Sequence, residues 1–232
     1  MNLNRRIEHY WDERSKDFSK SRRLELDGVD GVAWLNILKK NLPTGNLKIL
    51  DVGTGAGFFA AILSRLGHKV IGVDMSAKML HEAKKNLHEL KLNAEFRRMN
   101  AQVLEFADET FDAVVTRNLT WTLPDVKAAY REWRRVLKVG GVLMNFDSDY
   151  GEKIFSGDSY KHAKVTDTQL SECDAIKNSL AISSQRRPMW DAGFLEGINF
   201  SVHLDEDISH AVHKDKRCDY DSVPLFAVYA IK

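Results

Sequence analysis

The sequence is poor in the features that mark secreted or membrane proteins. Its 232 residues include only two cysteines, Cys173 and Cys218, which lie far apart and outside any C-x-x-C pair. No apolar run approaches the ~18 residues of a membrane-spanning helix. The charged N-terminal stretch also lacks the apolar segment of a signal peptide. We therefore expect a cytoplasmic protein with free thiols and no membrane partner.

Clusters of metal ligands are missing as well. His81 and His88 are seven residues apart, whereas two ligands on one helix face are commonly four apart. His210, His213 and Cys218 have no fourth ligand at a recognised spacing. We expect no metal site.

An excess of charge of either sign is a further absence. The chain has 34 basic and 33 acidic residues, for a formal net charge of +1. Nucleic-acid binding depends on concentrated positive charge, and no basic stripe with interleaved aromatics occurs, so we expect no nucleic-acid partner. The length and the 44% content of hydrophobic residues fit one α/β domain. We expect residues 1–232 to fold as a single domain that is monomeric or homodimeric.

Residues 47–76 carry the most information, with the sequence LKILDVGTGAGFFAAILSRLGHKVIGVDMS. The branched, apolar run Leu47–Val52 predicts a strand buried on both faces of a parallel sheet. Gly53, Gly55 and Gly57 follow with G-x-G-x-G spacing. Glycine at such a turn lets a ligand lie against bare backbone.

A helix and a second strand complete this unit. Phe58–Leu66 has helical periodicity, and Lys69–Val73 predicts a strand with Asp74 at its C-terminal tip. Asp74 follows Gly53 at the distance from which a carboxylate accepts hydrogen bonds from ribose hydroxyls in nucleotide-binding α/β folds. The unit therefore predicts a nucleoside-containing ligand.

The spacing of the glycines distinguishes between cofactors. A dinucleotide fingerprint, G-x-G-x-x-G, needs its third glycine at the position of Phe58. Asp51 stands two residues before Gly53, where it would repel a pyrophosphate but suit a cationic ligand. This D-x-G-x-G-x-G pattern resembles motif I of class I S-adenosylmethionine (SAM)-dependent methyltransferases.

A later run strengthens the resemblance. The segment LPDVKAAYREWRRVLKVGGVLMNFD, which ends at Asp147, is similar to the end of the methyltransferase core, with a helix, a Gly-Gly turn and a strand. The resemblance covers roughly residues 47–147 and is closest to the small-molecule methyltransferases of ubiquinone and menaquinone biosynthesis. It implies a Rossmann-like, doubly wound α/β fold. Its sheet would have seven mostly parallel strands with an antiparallel last strand and helices on both faces.

Periodicity and the resemblance together divide the single domain into four parts. These are an N-terminal helical lid (1–44), a SAM-binding core (45–149), a substrate-side insert (150–190), and a C-terminal helix with a strand hairpin (191–232). We predict helices over Asn4–Lys20, Val32–Leu42, Ala77–Lys91, Asp125–Lys138 and Thr168–Ser179. We predict further strands over Ala94–Met99, Phe111–Thr116, Val142–Phe146, Asn199–Leu204 and Leu225–Ile231.

The resemblance also implies a set of cofactor-binding residues. Family members usually carry aspartate, facing the adenine amino group, where this chain has Asn100, whose side-chain carbonyl can still accept a hydrogen bond. Arg117 lies at the tip of the fourth strand, where it either faces the cofactor or anchors the following loop. The predicted SAM-binding residues are Asp51, Gly53, Thr54, Gly55, Gly57, Asp74, Met75, Met79, Asn100, Ala101, Gln102, Arg117 and Asn118.

A small-molecule acceptor follows from the same resemblance, and its identity and methylated atom stay open. The predicted acceptor-binding residues are Tyr10, Trp11, Asp147, Tyr150 and Arg187. Tyr10, Trp11, Arg14 and Phe18 are candidates for a roof over the cofactor. The pair Arg186-Arg187 is either solvated or supplies a guanidinium to an acceptor carboxylate. Asp147, Tyr150 and His162 are alternative general bases, and no catalytic residue is selected among them.

Two other functions remain open. A SAM-binding protein without turnover would carry the same binding motif. An NAD(P)-dependent oxidoreductase is suggested by the Y-x-x-x-K spacing of Tyr160 and Lys164, although the accompanying glycines are missing.

Overall fold

A computed structural model describes residues 2–157, 165–220 and 222–232. Seven strands form one sheet: β1 (Lys48–Val52), β2 (Lys69–Asp74), β3 (Glu95–Arg98), β4 (Phe111–Arg117), β5 (Leu137–Ser148), β6 (Ser201–Asp205) and β7 (Leu225–Ile231). The helices are α1 (Leu3–Leu26), α2 (Val29–Asn41), α3 (Phe58–Arg65), α4 (Ala77–Glu89), α5 (Val126–Val136), α6 (Asp167–Asn178), α7 (Met189–Gly197) and α8 (Ser209–Val212). Two 3₁₀ turns cover Thr120–Thr122 and Ala181–Ser184.

The strand order is β3-β2-β1-β4-β5-β7-β6. The pairs among the first five strands are parallel, and β7 is antiparallel to both of its neighbours. The chain winds from β1 outward to β3 and then returns to place β4 on the other side of β1. This reversal opens a crevice at the carboxyl ends of β1 and β4, which is where open α/β sheets bind ligands. The predicted fold class is confirmed.

Successive apolar side chains along a strand point to opposite faces of the sheet, so each face carries its own buried core. Leu50 and Val52 of β1 belong to one buried cluster, which includes Trp133 of α5. The intervening Ile49 belongs to a second cluster on the opposite face, which includes Trp34 of α2. Both tryptophans are fully buried, so the sheet has helices on both faces, as the resemblance implied.

Several predicted boundaries were wrong. The fifth strand, predicted over Val142–Phe146, covers Leu137–Ser148, and the second helix, predicted over Val32–Leu42, covers Val29–Asn41. The helix predicted to reach Lys138 ends at Val136, because Leu137 already pairs with Phe111 at the start of β5. The first helix continues past Lys20 to Leu26, because Glu25 and Leu26 in its last turn are buried.

Helix α1 is held against the carboxyl side of the sheet by polar contacts with α4. The Ser76 hydroxyl donates to Asp12 Oδ1 at 2.5 Å and also caps α4 by accepting from the Met79 amide. Near the other end of α4, Asn86 Nδ2 donates to Ser19 Oγ at 3.0 Å. These contacts fix α1 beside the tip of β2.

A buried polar network closes the far side of the crevice, at the end of β5. Arg187 donates to both carboxylate oxygens of Asp191 at 2.8 Å, to Thr120 Oγ1 at 2.6 Å and, more weakly, to Asp147 at 3.5 Å. The Tyr130 hydroxyl also donates to Asp191 at 2.5 Å. Burial raises the pKa of Asp147, whereas the two carboxylates outweigh the burial of Arg187 and hold its pKa above the ordinary value. One guanidinium thus pairs with two buried carboxyl groups.

Replacing Arg187 with methionine should strongly destabilise the protein. The substitution leaves Asp147 and Asp191 buried without their cation, and removing one partner of a buried ion pair costs about 3–5 kcal/mol. The measurement is the free energy of unfolding in urea. Arg186→Met is the matched control, since Arg186 is the exposed neighbour. Equal stability of the two variants would contradict the structural role of the network.

Candidate active site

The glycine loop between β1 and α3 has a backbone that only glycine adopts without strain. Gly53 has φ +66° and Gly57 has φ +84°. A Cβ atom on Gly53 would lie 2.7 Å from Leu119 Cδ1, and one on Gly57 would lie 2.9 Å from Leu87 Cδ1. The loop is therefore pressed between the tip of β4 and α4, with its backbone facing the crevice.

Asp51 secures this loop from below. Its Oδ2 accepts hydrogen bonds from the Thr54 hydroxyl at 2.6 Å and from the Ala60 amide at 3.0 Å. Burial raises the pKa of Asp51 to about 7. Asp51 thus joins β1, the loop and the first turn of α3.

Asp74 lies at the tip of β2, and each of its carboxylate oxygens already accepts one backbone hydrogen bond. Oδ2 accepts from the Gly55 amide and Oδ1 accepts from the Ser76 amide, both at 2.9 Å. An ionised carboxylate accepts about four hydrogen bonds, so one lone pair on each oxygen is available for a pair of neighbouring hydroxyl groups. Burial raises the pKa of Asp74 to about 6.

Three adjoining cavities lie along the carboxyl edge of the sheet, and Phe18 and Asn118 line all three. We call them the strand-tip cavity, which contains Asp74, the loop cavity, which contains Asp51, and the aromatic cavity, which contains Trp121. Asn118 has a left-handed backbone (φ +52°), and its buried Oδ1 accepts no hydrogen bond from the described residues. The edge thus offers connected sites with an unused acceptor at their junction.

Most of the predicted cofactor residues line the strand-tip cavity: Gly53, Gly55, Asp74, Met75, Met79, Asn100, Ala101, Gln102, Arg117 and Asn118. Asp51 and Thr54 line the loop cavity instead. Gly57 lines none of the three, because it begins α3 and faces α4.

Asn100 is oriented by its neighbour. Its Oδ1 accepts from both the amide and the side-chain nitrogen of Gln102 at 3.0 Å, and Gln102 Oε1 in turn accepts from the Asp125 amide at 2.7 Å. The acceptor that was predicted to meet the adenine amino group is therefore already shared with Gln102. The contact between Asn100 and adenine stays a prediction.

Within the described part of the chain, Arg117 contacts helices α1 and α2, and not the loop after β4 that it was predicted to anchor as one of its two roles. Its Nη2 lies 2.8 Å from Glu25 Oε1, and its guanidinium lies over the ring of Trp34 at 4.6 Å. Glu25 also pairs with Arg22 at 2.7 Å and accepts from Trp34 Nε1 at 3.0 Å. Burial lowers the pKa of Arg117, and its Nε and Nη1 have no hydrogen-bond partner among the described residues. Two guanidinium groups therefore share one carboxylate beside the glycine loop, which leaves a net positive charge there.

Glu25 and Arg22 were not among the predicted site residues, although the sequence carries a signal for Glu25. The apolar stripe of α1 runs through Trp11 and Phe18 at a seven-residue interval, and the same interval continued once more reaches Glu25. A glutamate at a stripe position indicates a buried carboxylate with a partner. The partner itself, Arg117, lies 92 positions further along the chain (117 − 25), beyond the range of any periodicity.

The predicted acceptor residues fall into two groups. Tyr10, Trp11 and Tyr150 line the aromatic cavity, as expected for acceptor contacts. Asp147 and Arg187 are buried in the network with Asp191 and line neither the strand-tip nor the aromatic cavity. Their assignment to the acceptor therefore needs correction, because both side chains are buried and already paired inside the protein. The interpretation of Arg187 as a solvated residue is wrong for the same reason.

Three further candidates, Tyr160, His162 and Lys164, lie outside the described residues. Among residues 2–157, 165–220 and 222–232, no three His, Cys, Asp or Glu side chains are grouped so that they could hold a metal ion. Within the same ranges, none of the helices combines the length and apolar character that crossing a membrane requires.

Comparison with known proteins agrees with this geometry. Residues 50–145 match the family model described as a methyltransferase domain. A ubiquinone biosynthesis O-methyltransferase of Cereibacter sphaeroides is 32% identical over 107 residues, which are 46% of this chain and 43% of that protein. A demethylmenaquinone methyltransferase of Corynebacterium kroppenstedtii is 31% identical over 140 residues, which are 60% of this chain and 58% of that protein. The chain thus spans less than two thirds of these relatives.

The likeness to solved structures extends over nearly the whole fold. Phosphoethanolamine N-methyltransferase 2 of Haemonchus contortus, solved in complex with SAM, superimposes with a TM-score of 0.68 at 17% identity. The superposition covers 97% of this chain and 60% of that one. At this identity the likeness establishes the fold alone.

Residues 50–145 are thus similar to a methyltransferase domain, and the sheet has the fold of SAM-dependent methyltransferases of known structure. The cofactor that the resemblance implies is SAM. The site fits this cofactor on its own chemistry. Asp74 offers two free acceptor positions to the ribose, and the orphaned Asn118 Oδ1 offers one to a donor group.

Asp74→Ala should weaken the binding of S-adenosylhomocysteine (SAH), the product form of the cofactor, by at least about 100-fold. The variant loses two charge-assisted hydrogen bonds, each of about 1.5–3 kcal/mol. Calorimetric titration measures the change, and Glu105→Gln is the control, since Glu105 is an exposed carboxylate outside the three cavities. Unchanged SAH affinity in Asp74→Ala would refute the ribose assignment.

The affinity for SAH should also depend on pH. Asp74 titrates with a pKa of about 6, and only its ionised form has acceptors free for both hydroxyls, so the affinity should fall about tenfold per pH unit below pH 6. Asp74→Asn should remove this dependence.

The stability of the free protein should change in the opposite direction. Because the pKa values of Asp51 and Asp74 are raised, these two groups hold more protons in the folded chain than in the unfolded one, so their own contribution to the free energy of unfolding should decrease as the pH rises from 4 to 7. The binding prediction has its own test. An SAH affinity that stays constant from pH 7 to pH 5 would contradict the assignment of the raised pKa to the carboxylate that binds the ligand.

Proposed function

We propose that this chain transfers the methyl group of SAM to a small-molecule acceptor that binds in the aromatic cavity. The observation that carries the proposal is the junction at Phe18 and Asn118, where the aromatic cavity meets the two cavities built on the glycine loop and the strand tips. Two reactants bound on either side of this junction would meet in the geometry that an in-line displacement needs. Holding reactants together in this way supplies about 7–11 kcal/mol of the barrier.

In the cofactor half of the site, negative charge lies at the strand-tip cavity and positive charge lies at the loop cavity. The carboxylate of Asp74 suits the ribose hydroxyls at the strand-tip cavity. The net positive charge of Arg22, Glu25 and Arg117 suits the carboxylate of the methionine end at the loop cavity. When bound, SAM supplies the electrophilic methyl group, and the remaining work of the protein is to orient the acceptor and exclude water.

The acceptor half is roofed by α1. Tyr10, Trp11 and Phe18 of this helix line the aromatic cavity, opposite Trp121 and Tyr150. This arrangement supports a lid in residues 1–44, a core in 45–149 and a substrate-side insert in 150–190. The relatives' names mention ubiquinone and demethylmenaquinone, which supports an aromatic acceptor for this chain too.

Two polar groups in the aromatic cavity remain protonated at neutral pH. Burial raises the pKa of Tyr10 well above its ordinary value and raises the pKa of Cys173 to about 11. Neither group accepts a proton from the acceptor at neutral pH. Because these two groups cannot act as a base, the site favours an acceptor that is already ionised or nucleophilic when it binds.

The test is binding followed by turnover. We expect SAM and SAH, but not NADH, to bind in calorimetric titrations. We also expect SAH to form when the protein is incubated with SAM and a panel of catechols, hydroquinones and aromatic amines. SAM binding without SAH formation across the panel would favour a SAM-binding protein without turnover. Binding of NADH alone would favour an oxidoreductase and overturn the proposal.

A further inference from the structure

The aromatic cavity has a volume of about 320 Å³ and walls suited to a planar ligand. The ring of Trp121 lies 4.9 Å from that of Tyr150 and 5.8 Å from that of Phe155, between centroids. On the side of α1, the Trp11 ring lies 6.5 Å from Trp121. Aromatic groups pack at these separations with a favourable energy beyond the burial of their area. The cavity therefore has an aromatic wall, which suits a flat, aromatic ligand.

One cation of the cavity lacks an acidic partner. Among the described residues, the Arg14 guanidinium has no carboxylate oxygen within 4.0 Å, and its Nη1 donates only to the Tyr10 hydroxyl at 2.9 Å. Its Nε is buried and has no hydrogen-bond partner in the same part of the chain. The other two cations are paired, since Arg22 contacts Glu25 at 2.7 Å and Lys20 contacts Asp17 at 3.9 Å.

An unpaired, partly buried guanidinium is costly, and a bound anion removes this cost. Leaving a buried donor unsatisfied costs about 1–3 kcal/mol, and more when the group is charged. The planar fork of a guanidinium matches a carboxylate in a bidentate contact. Asp17 and Asp219 also line the cavity, and their negative charge disfavours a dianion such as a phosphate. A monoanionic carboxylate is the group that fits.

The position of Arg14 indicates which end of the ligand carries the charge. Arg14 lines only the aromatic cavity, whereas Trp11, Phe18 and Asn118 also line the strand-tip cavity where the cofactor is proposed to bind. An anion at Arg14 therefore lies away from the shared wall. The anion would serve as the anchor of the acceptor, and the atom at the opposite end of the ring would face the methyl group.

We infer that the acceptor is an aromatic monocarboxylate, bound through its carboxylate by Arg14 and through its ring by Trp11, Trp121 and Tyr150, and methylated at the end that faces Asn118. This inference rests on the proposed function for the direction of methyl transfer. The binding part of the inference is testable independently of turnover.

The test uses matched ligand pairs. The wild-type protein, both free and saturated with SAH, is titrated with 3,4-dihydroxybenzoate and indole-3-acetate and with the carboxamide of each. At least one carboxylate should bind about tenfold more tightly than its amide. Arg14→Gln should lower the affinity for that carboxylate by at least tenfold and leave the affinities for its amide and for SAH unchanged. Lys20→Gln, which removes a cation already paired with Asp17, should change none of these affinities.

Each contrary outcome is distinct. Equal binding of the acids and amides, no binding of either acid, or an equal loss of both ligands in Arg14→Gln would overturn the inference. Tighter binding of phenyl phosphate than of the acids would show that the site takes a dianion and would overturn it as well. Failure of SAH alone to bind would refute the proposed function, and the titrations of the free protein would still decide the role of Arg14.

Discussion

The buried carboxylate of Glu25 is the contact on which the arrangement of the site depends. It lies near the end of α1, is fully buried, and is held by Arg22, Arg117 and Trp34. Through these three partners it joins the N-terminal helix to the tip of β4 and to the core on one face of the sheet. The contacts of Asp12 and Ser19 with α4 orient the rest of the same helix. This attachment and the contacts with α4 together keep α1 over the crevice.

The site combines opposite charges within a short distance, and each charge has a separate task. Asp74, at one side of the crevice, is a carboxylate with free acceptor positions, and its pKa is raised by burial. Arg117, at the other side, carries a positive charge that its single carboxylate partner does not fully neutralise, because Arg22 shares that partner. SAM is itself a zwitterion with an added sulfonium, so a site with separated charges binds it better than a uniformly charged site.

The network around Arg187 shows how the same residue types serve stability instead of binding. Arg187 lies between Asp147 and Asp191, with Thr120 and Tyr130 completing their hydrogen bonds. Every charge in this network has a partner inside the protein. Arg14, by contrast, has a tyrosine hydroxyl as its neighbour and no carboxylate within 4.0 Å among the described residues. The presence or absence of a partner separates the structural arginine from the one that we propose binds a ligand.

The sequence was sufficient for the parts of the fold that depend on local patterns. The glycine spacing and Asp74 predicted the strand-loop-helix-strand unit, and the alternation at Leu225–Ile231 predicted β7. The end of α5 was mispredicted because Leu137 is recruited by Phe111, a pairing between segments 26 residues apart (137 − 111). Arg187 was assigned to the acceptor because a sequence does not show that Asp147 and Asp191 converge on it. Glu25 was missed for the same reason, since its partner Arg117 comes from another part of the chain.

The most direct measurement is a crystal structure of the protein with SAH. The account predicts that the two ribose hydroxyls lie within about 2.6–3.2 Å of the two carboxylate oxygens of Asp74, and that the sulfur faces Asn118 and the aromatic cavity. SAH bound with its ribose away from Asp74, or with its sulfur facing away from Asn118, would contradict the account.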